Sequence, residues 1–276
     1  MKIVGILNMT PDSFYDQGRW FDKKVAVQRG LQLFDDGADI VEVGGESVRP
    51  GAANIPADIQ IERTVDVIEE LANAGPVSID TRSADVARAA VNSGASLINE
   101  VGGSLYRVAG ELAVGYVVTH IQGEPATMNI APHYDDVAAE VKEYLVKIAT
   151  KAKAAGVPKL WIDPGVGMGK APEHNFALLK TLPDLVSTGL PVFLSVSRKG
   201  IVGQLSGQAD VQRRLGGSLA TVAYGEDVGV DTIRVHDVRE TREFLNFRAA
   251  LRKESLGPLP MNLAGLSHNS AFTAAP

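Results

Sequence analysis

The stretch "DIQIERTVDVIEELANAGPVSIDTRSADVARAAVNSGASLINEV", residues 58–101, decides the fold class. Two short apolar runs, "PVSID" at 76–80 and "SLINEV" at 96–101, each follow a segment whose apolar residues recur every three or four positions. Near-continuous apolar runs are typical of parallel strands buried on both faces, and the wider spacing is typical of amphipathic helices. The stretch therefore predicts alternating helices and parallel strands.

The same alternation continues towards both ends of the chain. Further strand-like runs are "KIVGILN" (2–8), "ADIVEVG" (38–44), "GYVVTH" (115–120), "KLWID" (159–163), "PVFLSVS" (191–197) and "TIRVH" (232–236). Gly75, Gly94 and Gly156 stand where helix stops are expected. Eight strand–helix units predict a (β/α)8 TIM barrel, with a doubly wound open sheet as the alternative. We expect one barrel domain over residues 1–253 and a flexible tail over 254–276, which is rich in small residues.

The composition argues against several classes of protein. The net charge of −6 disfavours general nucleic-acid binding, and the absence of cysteine excludes disulfides, thiolate catalysis and cysteine-type zinc sites. The N-terminal apolar run is too short for a signal peptide, and no segment approaches the roughly 18 apolar residues of a membrane span. We expect a cytoplasmic protein with no nucleic-acid or membrane partner.

Polar side chains accumulate where the predicted strands end. They are Asn8, the segment "GGESVRPG" (44–51), Asp80, Asn99 and Glu100, His120 and Gln122, Asp163, Ser197 to Lys199, and Arg234 to Asp237. The carboxyl ends of the strands form the active site of a TIM barrel. A turn or a helix cap explains any one of these residues, but polar groups at all eight strand ends predict a binding or catalytic site.

The chemistry of these groups favours a flat ligand that carries an anion. Four of them offer acceptors, donors and one cation to an NH-rich heterocycle: Asp80, Asn99, Asp163 and Lys199. Three offer donors to phosphate or carboxylate: Arg198, Arg234 and His236. Ser197 is expected to open the next helix, whose N-terminus favours an anion. These residues alone leave the ligand open.

The segment "GVGMGK" (165–170) resembles a phosphate-binding loop but departs from that motif twice. A Walker A loop needs glycine where Pro164 stands, and serine or threonine where Ala171 stands. We therefore expect these glycines to shape the loop after the sixth strand.

Taken in order, the strand-end motifs are similar to those of the dihydropteroate synthase family, the pterin-binding barrels of folate synthesis. The matching stretches are "GILNMTPDSFYDQG", "GADIVEVGGESVRPGA", "VSIDT", "GASLINEVGG", "HIQGEPATMN", "DPGVGMGK", "HNFALL", "SVSRKGIVGQL", "RLGGSLA" and "TIRVHDV". The resemblance covers about residues 2–250. It implies a transferase that joins p-aminobenzoate to 6-hydroxymethyl-7,8-dihydropterin pyrophosphate, with Mg²⁺ at the pyrophosphate, sulfonamides as inhibitors and a homodimer as the assembly.

The resemblance also implies a role for individual residues. The pterin pocket would contain Asp80, Asn99, Asp163 and Lys199, and the pyrophosphate would be held by Asn8, Arg234 and His236. Asn8 would also contact Mg²⁺, and Asp12 and Asp16 of the first loop would complete this end when the loop closes. The p-aminobenzoate site would be formed by Arg49, Pro50 and Ser197, with Lys199 at its rim. The catalytic residues implied are Lys199, Arg234, Asp163 and Asn99.

Several positions depart from the family pattern. This chain has Val48 where the family has a threonine, Glu100 where it has an aspartate, and Met168 where it has an aromatic residue. It also has "THIQG" where the family has "MHMQG", and Tyr15 and Gln17 where the family has small residues. We expect these changes to alter the lip of the site, and so p-aminobenzoate affinity and sulfonamide sensitivity, more than the pterin pocket.

Three alternative functions stay open at this point. A related methyltransferase would use methyltetrahydrofolate with a corrinoid protein, although "SRK" and "RVHDV" favour a pyrophosphate-bearing substrate. An aldolase-type barrel would use Lys199 as a Schiff base, because Arg198 beside it could depress its pKa. A catalytically weak paralogue would bind pterin without turnover.

Overall fold

The computed structural model describes residues 1–10, 22–48, 51–52 and 54–253. The strands are β1 Lys2–Asn8, β2 Ile40–Gly44, β3 Val77–Asp80, β4 Leu97–Val101, β5 Gly115–Thr119, β6 Leu160–Asp163, β7 Phe193–Leu194 and β8 Thr232–Val235. The helices are α1 Lys23–Asp35, α2 Ala57–Ala72, α3 Ala84–Asn92, α4 Tyr106–Glu111, α5 Val137–Ala154, α6 Pro172–Lys180, α7 Leu182–Val186, α8 Gly200–Ser206, α9 Leu215–Val228 and α10 Val238–Leu251, with a 3₁₀ turn at Val211–Arg213.

The strands form one parallel sheet that curls into a barrel. Their order is β6-β5-β4-β3-β2-β1-β8-β7, so each strand pairs with its neighbour in sequence and β1 pairs with β8. The ring closes between β6 and β7 through a parallel bridge of Ile162 to Val192 and a 3.0 Å hydrogen bond from the Ile162 amide to the Pro191 carbonyl. This closure confirms the TIM barrel and excludes the open sheet.

The seventh strand is shorter than its apolar run predicts. The run covers residues 191–197, but only Phe193 and Leu194 pair with β8. Pro191 has no amide hydrogen to donate. At the other end, the Ser197 hydroxyl accepts from the His236 amide at 3.2 Å, so a side chain replaces the backbone ladder there.

Successive residues of each strand face alternately outward, towards the helices, and inward, towards the barrel interior. Outward-facing residues such as Ile3, Val41 and Ile79 are fully buried and pack against the helices in the main core. Inward-facing residues form a separate apolar cluster of Val4, Leu97, Val117, Trp161 and Phe193. Because side chains alternate along a strand, the next inward positions lie nearer the carboxyl ends, and these are polar. Among the described residues, no helix is long and apolar enough to cross a bilayer.

The helix boundaries follow local signals. Asp22, Ser83 and Asp136 begin α1, α3 and α5, each accepting a hydrogen bond from a backbone amide of the first turn. Gly94 and Gly156, with φ of +107° and +85°, end α3 and α5 in the left-handed conformation, as expected.

Gly75 is not a helix stop of this kind. Its φ is not among the positive values, and a Cβ atom there would lie 2.8 Å from Cε1 of the Phe34 ring. Packing between α1 and α2 therefore explains this glycine.

Candidate active site

A cleft of about 670 Å³ opens at the carboxyl ends of the strands. This volume is within the ordinary range for small-molecule sites. Six of the predicted site residues line it: Asn8, Asp80, Arg198, Lys199, Arg234 and His236. Three others are buried beside them instead of lining the cleft: Asn99, Asp163 and Ser197. The fold therefore brings together the polar strand ends, although their roles stay predictions.

An ion-pair network crosses the barrel interior below the cleft. Arg234 donates from Nη2 to Asp80 Oδ2 at 3.0 Å and from Nε to Glu42 Oε1. Glu42 Oε2 in turn accepts from Asn99 Nδ2 at 3.0 Å and from Ser78 Oγ at 3.2 Å. Burial raises the pKa of the Asp80 carboxyl, and the Arg234 guanidinium offsets part of that rise. Two carboxylates thus fix the guanidinium before any ligand binds.

Asp163 is fully buried beside the cleft, and its carboxyl interacts with the Gly165 amide and the Ser195 side chain. Its Oδ1 accepts from the Gly165 amide at 2.7 Å, while its Oδ2 has no hydrogen-bond partner within the described ranges. Burial raises the pKa of this carboxyl, and the Lys199 ammonium is the largest opposing influence. Buried acceptors are normally satisfied, so Oδ2 is a place where a ligand N–H fits.

Lys199 lies between the cleft and the loop after β6. Its Nζ donates to the Val166 carbonyl at 2.6 Å. Burial lowers the pKa of Lys199 to about 8, with Asp163 acting against the change. The depressed pKa that the Schiff-base alternative needs is therefore present, but burial causes it and not Arg198.

Arg198 lines the cleft, but its guanidinium is held by other groups of the protein. Its guanidinium makes two 2.7 Å hydrogen bonds to the Asp237 carboxylate and donates to the carbonyls of Val211 and Gln212, each at 2.8 Å. Its side chain is only 5 % exposed. Arg198 thus holds the segment before α9 at the edge of the cleft, and its contact with a phosphate stays a prediction.

Ser197 and His236 form a buried pair. Ser197 Oγ lies 3.0 Å from His236 Nδ1 and accepts from the His236 amide. Burial lowers the pKa of His236 well below its usual value, and Arg234 lowers it further, so the ring is neutral. If the serine hydroxyl donates to Nδ1, the ring proton lies on Nε2. Ser197 does not open a helix, since α8 begins at Gly200 with Lys199 as its N-cap.

Asn8 ends β1 at the edge of the cleft. Within the described ranges, no group of three His, Cys, Asp or Glu side chains is arranged to hold a metal ion. Mg²⁺ commonly keeps waters and substrate phosphates as ligands, so one amide oxygen fits such an ion only in combination with a bound phosphate. The other residues predicted here, Asp12 and Asp16, lie outside the described residues, as do Arg49 and Pro50.

Comparison with known proteins identifies the family of this chain. The sequence profile described as "pterin binding enzyme" matches residues 4–236. The chain belongs to the pterin-binding enzyme family. It is 43 % identical over 259 residues to the dihydropteroate synthase of Mycobacterium leprae, a match that covers 89 % of this chain and 91 % of the relative. Within the family the chain is thus a transferase of the dihydropteroate synthase type, as the sequence motifs predict.

Solved structures of the family agree with this assignment. The dihydropteroate synthase of Yersinia pestis, in a complex with a sulfonamide drug, superposes with a TM-score of 0.86 at 36 % identity, covering 91 % of this chain and 94 % of that one. The enzyme from Thermus thermophilus in complex with 4-aminobenzoate has a TM-score of 0.82 at 39 % identity, covering 91 % and 94 %. The barrel is therefore that of dihydropteroate synthases.

Glu42 is a site residue that the sequence reasoning missed. It is 1 % exposed and connects Arg234, Asn99 and Ser78. The signal was present, because a glutamate interrupts the apolar run "ADIVEVG" two residues before Gly44. A search restricted to strand ends does not find Glu42, because it lies at the inward-facing position two residues before the end of β2.

Glu100 does not lie at the lip of the site, which corrects the expectation from the family pattern. Its neighbour Asn99 faces inward, so Glu100 faces outward and is 1 % exposed. Its carboxylate accepts from the amides of Ser104 and Leu105 at 2.8 and 2.7 Å and from the Tyr116 hydroxyl. Glu100 thus organises the turn before α4.

Three other departures from the family pattern lie together. Val48, Ile121 and Met168 belong to one apolar cluster, whose other members are Val101 and Met128. Val48, Met128 and Met168 line the cleft. Val48 and Met168 therefore lie at the cleft, as expected, where they form part of an apolar wall.

Thr119 is different. Its hydroxyl lies 3.4 Å from Asn99 Oδ1, so this departure reaches the predicted pterin pocket and not the lip. Tyr15 and Gln17 lie outside the described residues.

Proposed function

We propose that the cleft joins p-aminobenzoate to 6-hydroxymethyl-7,8-dihydropterin pyrophosphate and releases pyrophosphate with 7,8-dihydropteroate. The observation that carries this proposal is the combination of an unsatisfied buried carboxylate oxygen on Asp163 with the cations Lys199 and Arg234 at the cleft. The carboxylate suits the N–H edge of a pterin, and the cations suit its pyrophosphate. A relative of this chain was crystallised with 4-aminobenzoate, which supports the second substrate.

The proposed chemistry needs no protein nucleophile. The C–O bond from the pterin methylene to the pyrophosphate breaks, the electron-rich dihydropterin supports the positive charge, and the arylamine nitrogen forms the new C–N bond and loses a proton. The protein contributes rigid binding and charge stabilisation. Because Nε and Nη2 of Arg234 donate to carboxylates, we assign its Nη1 to the departing pyrophosphate. Lys199 and neutral His236 are the further donors at this end.

We include Mg²⁺ in the proposal at one position. Asn8 would hold the ion together with pyrophosphate oxygens, and the ion would neutralise charge on the leaving group when bound. The support is the hard amide oxygen of Asn8 at the cleft beside Arg234 and His236. Removing Mg²⁺ with a chelator is expected to weaken binding of the pyrophosphate ester but not of the free pterin alcohol.

We further propose a homodimer and a cytoplasmic location. An apolar groove between α6, α8 and α9 is lined by Leu179, Leu205 and Tyr224, and Leu205 is 58 % exposed. Such an exposed apolar surface is the kind that a second copy covers. Sedimentation of Leu205→Glu against the unchanged protein tests the assembly. Sulfonamides are proposed as competitive inhibitors, because a relative was crystallised with one.

Pyrophosphate release tests the reaction. The full chain with both substrates and Mg²⁺ should release one pyrophosphate for each 7,8-dihydropteroate formed, and none when p-aminobenzoate is replaced by methyltetrahydrofolate. Borohydride should trap no substrate on Lys199. Pterin binding without pyrophosphate release would establish the non-catalytic alternative and overturn the proposal.

A further inference from the structure

The loop of residues 165–170, between β6 and α6, is held by a buried lysine. Lys170 Nζ donates to the carbonyls of Gly165 and Met168 at 3.0 and 2.9 Å and lies 2.9 Å from His120 Nδ1. The residue is only 6 % exposed, and the Tyr134 ring lies 5.9 Å from Nζ. Three polar partners and an aromatic ring thus surround an ammonium group that has little contact with water.

Glycines let this loop lie directly on the segment after β5. A Cβ atom at Gly165 would lie 1.8 Å from the His120 carbonyl oxygen, and one at Gly169 would lie 2.1 Å from the Gln122 carbonyl oxygen. The Tyr134 hydroxyl also donates to the Gly169 carbonyl at 2.9 Å. The loop is therefore fixed by close backbone contact with the segment after β5.

Asn175 of α6 braces the same loop from its far end. Its Oδ1 accepts from the Gly167 amide at 2.6 Å, and its Nδ2 donates to the Lys170 carbonyl at 3.1 Å. The backbone of residues 165–170 is thus held at its amides and carbonyls by side chains from outside the loop. A loop held in this way presents its remaining groups in one geometry.

The loop contacts a cleft residue through the Val166 carbonyl, which accepts from Lys199 Nζ at 2.6 Å. Gly167, Met168 and Lys170 itself line the cleft beside it. We propose that Lys170 is a positioning residue, which fixes the loop so that the Val166 carbonyl holds the Lys199 ammonium at the substrate. The inference rests on the proposed function only for the step in which Lys199 contacts substrate.

Charge around Lys170 agrees with this role. Burial lowers its pKa to about 7, Asp163 opposes the change and Lys199 adds to it. The pKa of His120 is lowered to about 3, mainly by burial, so its ring is neutral and Nδ1 can accept from the lysine. The lysine keeps N–H groups for the Gly165 and Met168 carbonyls whether it is charged or neutral, so its hold on the loop does not depend on its charge.

Lys170→Met tests the proposal, with Lys180→Met on the exposed face of α6 as the matched control. In the ligand-free protein, Lys170→Met should raise amide hydrogen exchange of residues 165–169 by at least about tenfold, equivalent to ~1.4 kcal/mol, and Lys180→Met should leave it unchanged. Dihydropterin pyrophosphate should bind about tenfold more weakly to Lys170→Met, whereas Lys170→Met should add almost nothing in a Lys199→Met background.

Two outcomes would overturn the proposal: unchanged loop exchange, or the same loss of affinity in both backgrounds, which would make Lys170 a general structural residue. The exchange measurement uses no substrate, so it stays decisive if the unchanged protein fails to bind the pyrophosphate ester and the proposed function is wrong. If Lys170→Met does not fold, nitrogen NMR of the unchanged protein decides. Slow solvent exchange at Lys170 Nζ is expected, and exchange as fast as at Lys180 contradicts the proposal.

Discussion

The two ends of the barrel interior are built from the same strands and differ completely in chemistry. Near the amino ends the inward side chains are apolar, and Val4, Leu97 and Phe193 close the barrel. Nearer the carboxyl ends, inward positions on β2, β3, β4, β6 and β8 hold charged and polar groups. Those groups are Glu42, Asp80, Asn99, Asp163 and Arg234. A single alternating register therefore places a stabilising layer beneath a functional one.

The polar end of the barrel interior carries a cost in stability, because its charged groups lose their hydration when they are buried. Apolar side chains gain stability from leaving water, whereas buried charges must recover their hydration from each other. Arg234 recovers it from two carboxylates, while Asp163 keeps one oxygen without a partner in the described part of the chain. Groups left incompletely satisfied in a core are expected where a ligand completes them.

The largest effect is expected for Arg234→Met, which breaks the charge balance of the polar layer. Glu42 and Asp80 would lose their cation, so the free energy of unfolding should fall by roughly 3–5 kcal/mol and turnover should disappear. Urea unfolding and pyrophosphate release measure the two effects. The double variant Glu42→Gln with Arg234→Met should recover part of the stability and none of the turnover. An unchanged unfolding midpoint for Arg234→Met would show that the network is not coupled to folding.

A matched change in the apolar layer should separate stability from binding. Phe193 is fully buried, and Phe193→Ala should cost roughly 3–5 kcal/mol through lost burial and a cavity. Below the unfolding transition, however, the KM values of both substrates should stay within about twofold, since no cleft residue changes. Phe193→Leu is the milder control. A large change in KM for Phe193→Ala would show that the two layers are not independent.

The sequence predicted the barrel because its strands and helices carry strong local patterns, and it predicted the ring of polar residues because that ring follows from strand ends. It did not predict which polar groups pair. Arg198 and Arg234 look equivalent in sequence, yet Arg198 binds Asp237 after β8 and Arg234 binds Glu42 and Asp80 inside the barrel. Pairing depends on strand register and on side-chain direction, which no local pattern records.

The parity of a strand explains the other errors. Glu100 was expected at the lip with the other departures from the family pattern, but it follows inward-facing Asn99 and so faces the opposite side of the strand. The same alternation along "ADIVEVG" places Glu42 on the face of the strand that Gly44 shares, so it predicts that Glu42 faces inward. Lys170 was not predictable in this way, because its partners are backbone carbonyls of a loop whose shape the sequence shows only as a run of glycines.

Lys199→Ala should remove activity without loss of fold, in contrast to Arg234. Lys199 is half-buried and donates to one carbonyl, so its loss leaves no carboxylate pair broken. A decrease in kcat/KM of about 10²–10³-fold is expected, the usual effect of losing one positioned charge-stabilising donor. Pyrophosphate release and the thermal midpoint are measured together, with Lys180→Ala as control. Loss of folded protein instead would assign Lys199 a structural role.

The pH profile should sharpen the role of the same residue. The Lys199 pKa of about 8 means that its ammonium form dominates below that pH and is lost above it. If the cation holds the substrate, kcat/KM should fall as the pH rises through about 8. Lys199→Arg keeps its charge to a much higher pH, so that alkaline decline should disappear even if the overall rate is lower. If kcat/KM of Lys199→Arg falls over the same pH range, the decline is due to a group other than Lys199.

The smallest effect is expected at the apolar wall, where the functional layer borders solvent. Met168 is buried beside Val48 and Met128 at the cleft, in a position where the family commonly has an aromatic residue. Met168→Phe should lower the KM for p-aminobenzoate about threefold to tenfold, since an aromatic pair adds ~0.5–1.5 kcal/mol, and should leave the KM of the pterin substrate unchanged. Initial rates at varied p-aminobenzoate measure this, with Met128→Leu as the control. Equal changes in both KM values would mean that the apolar wall contacts both substrates. The wall would then not belong to the p-aminobenzoate site alone.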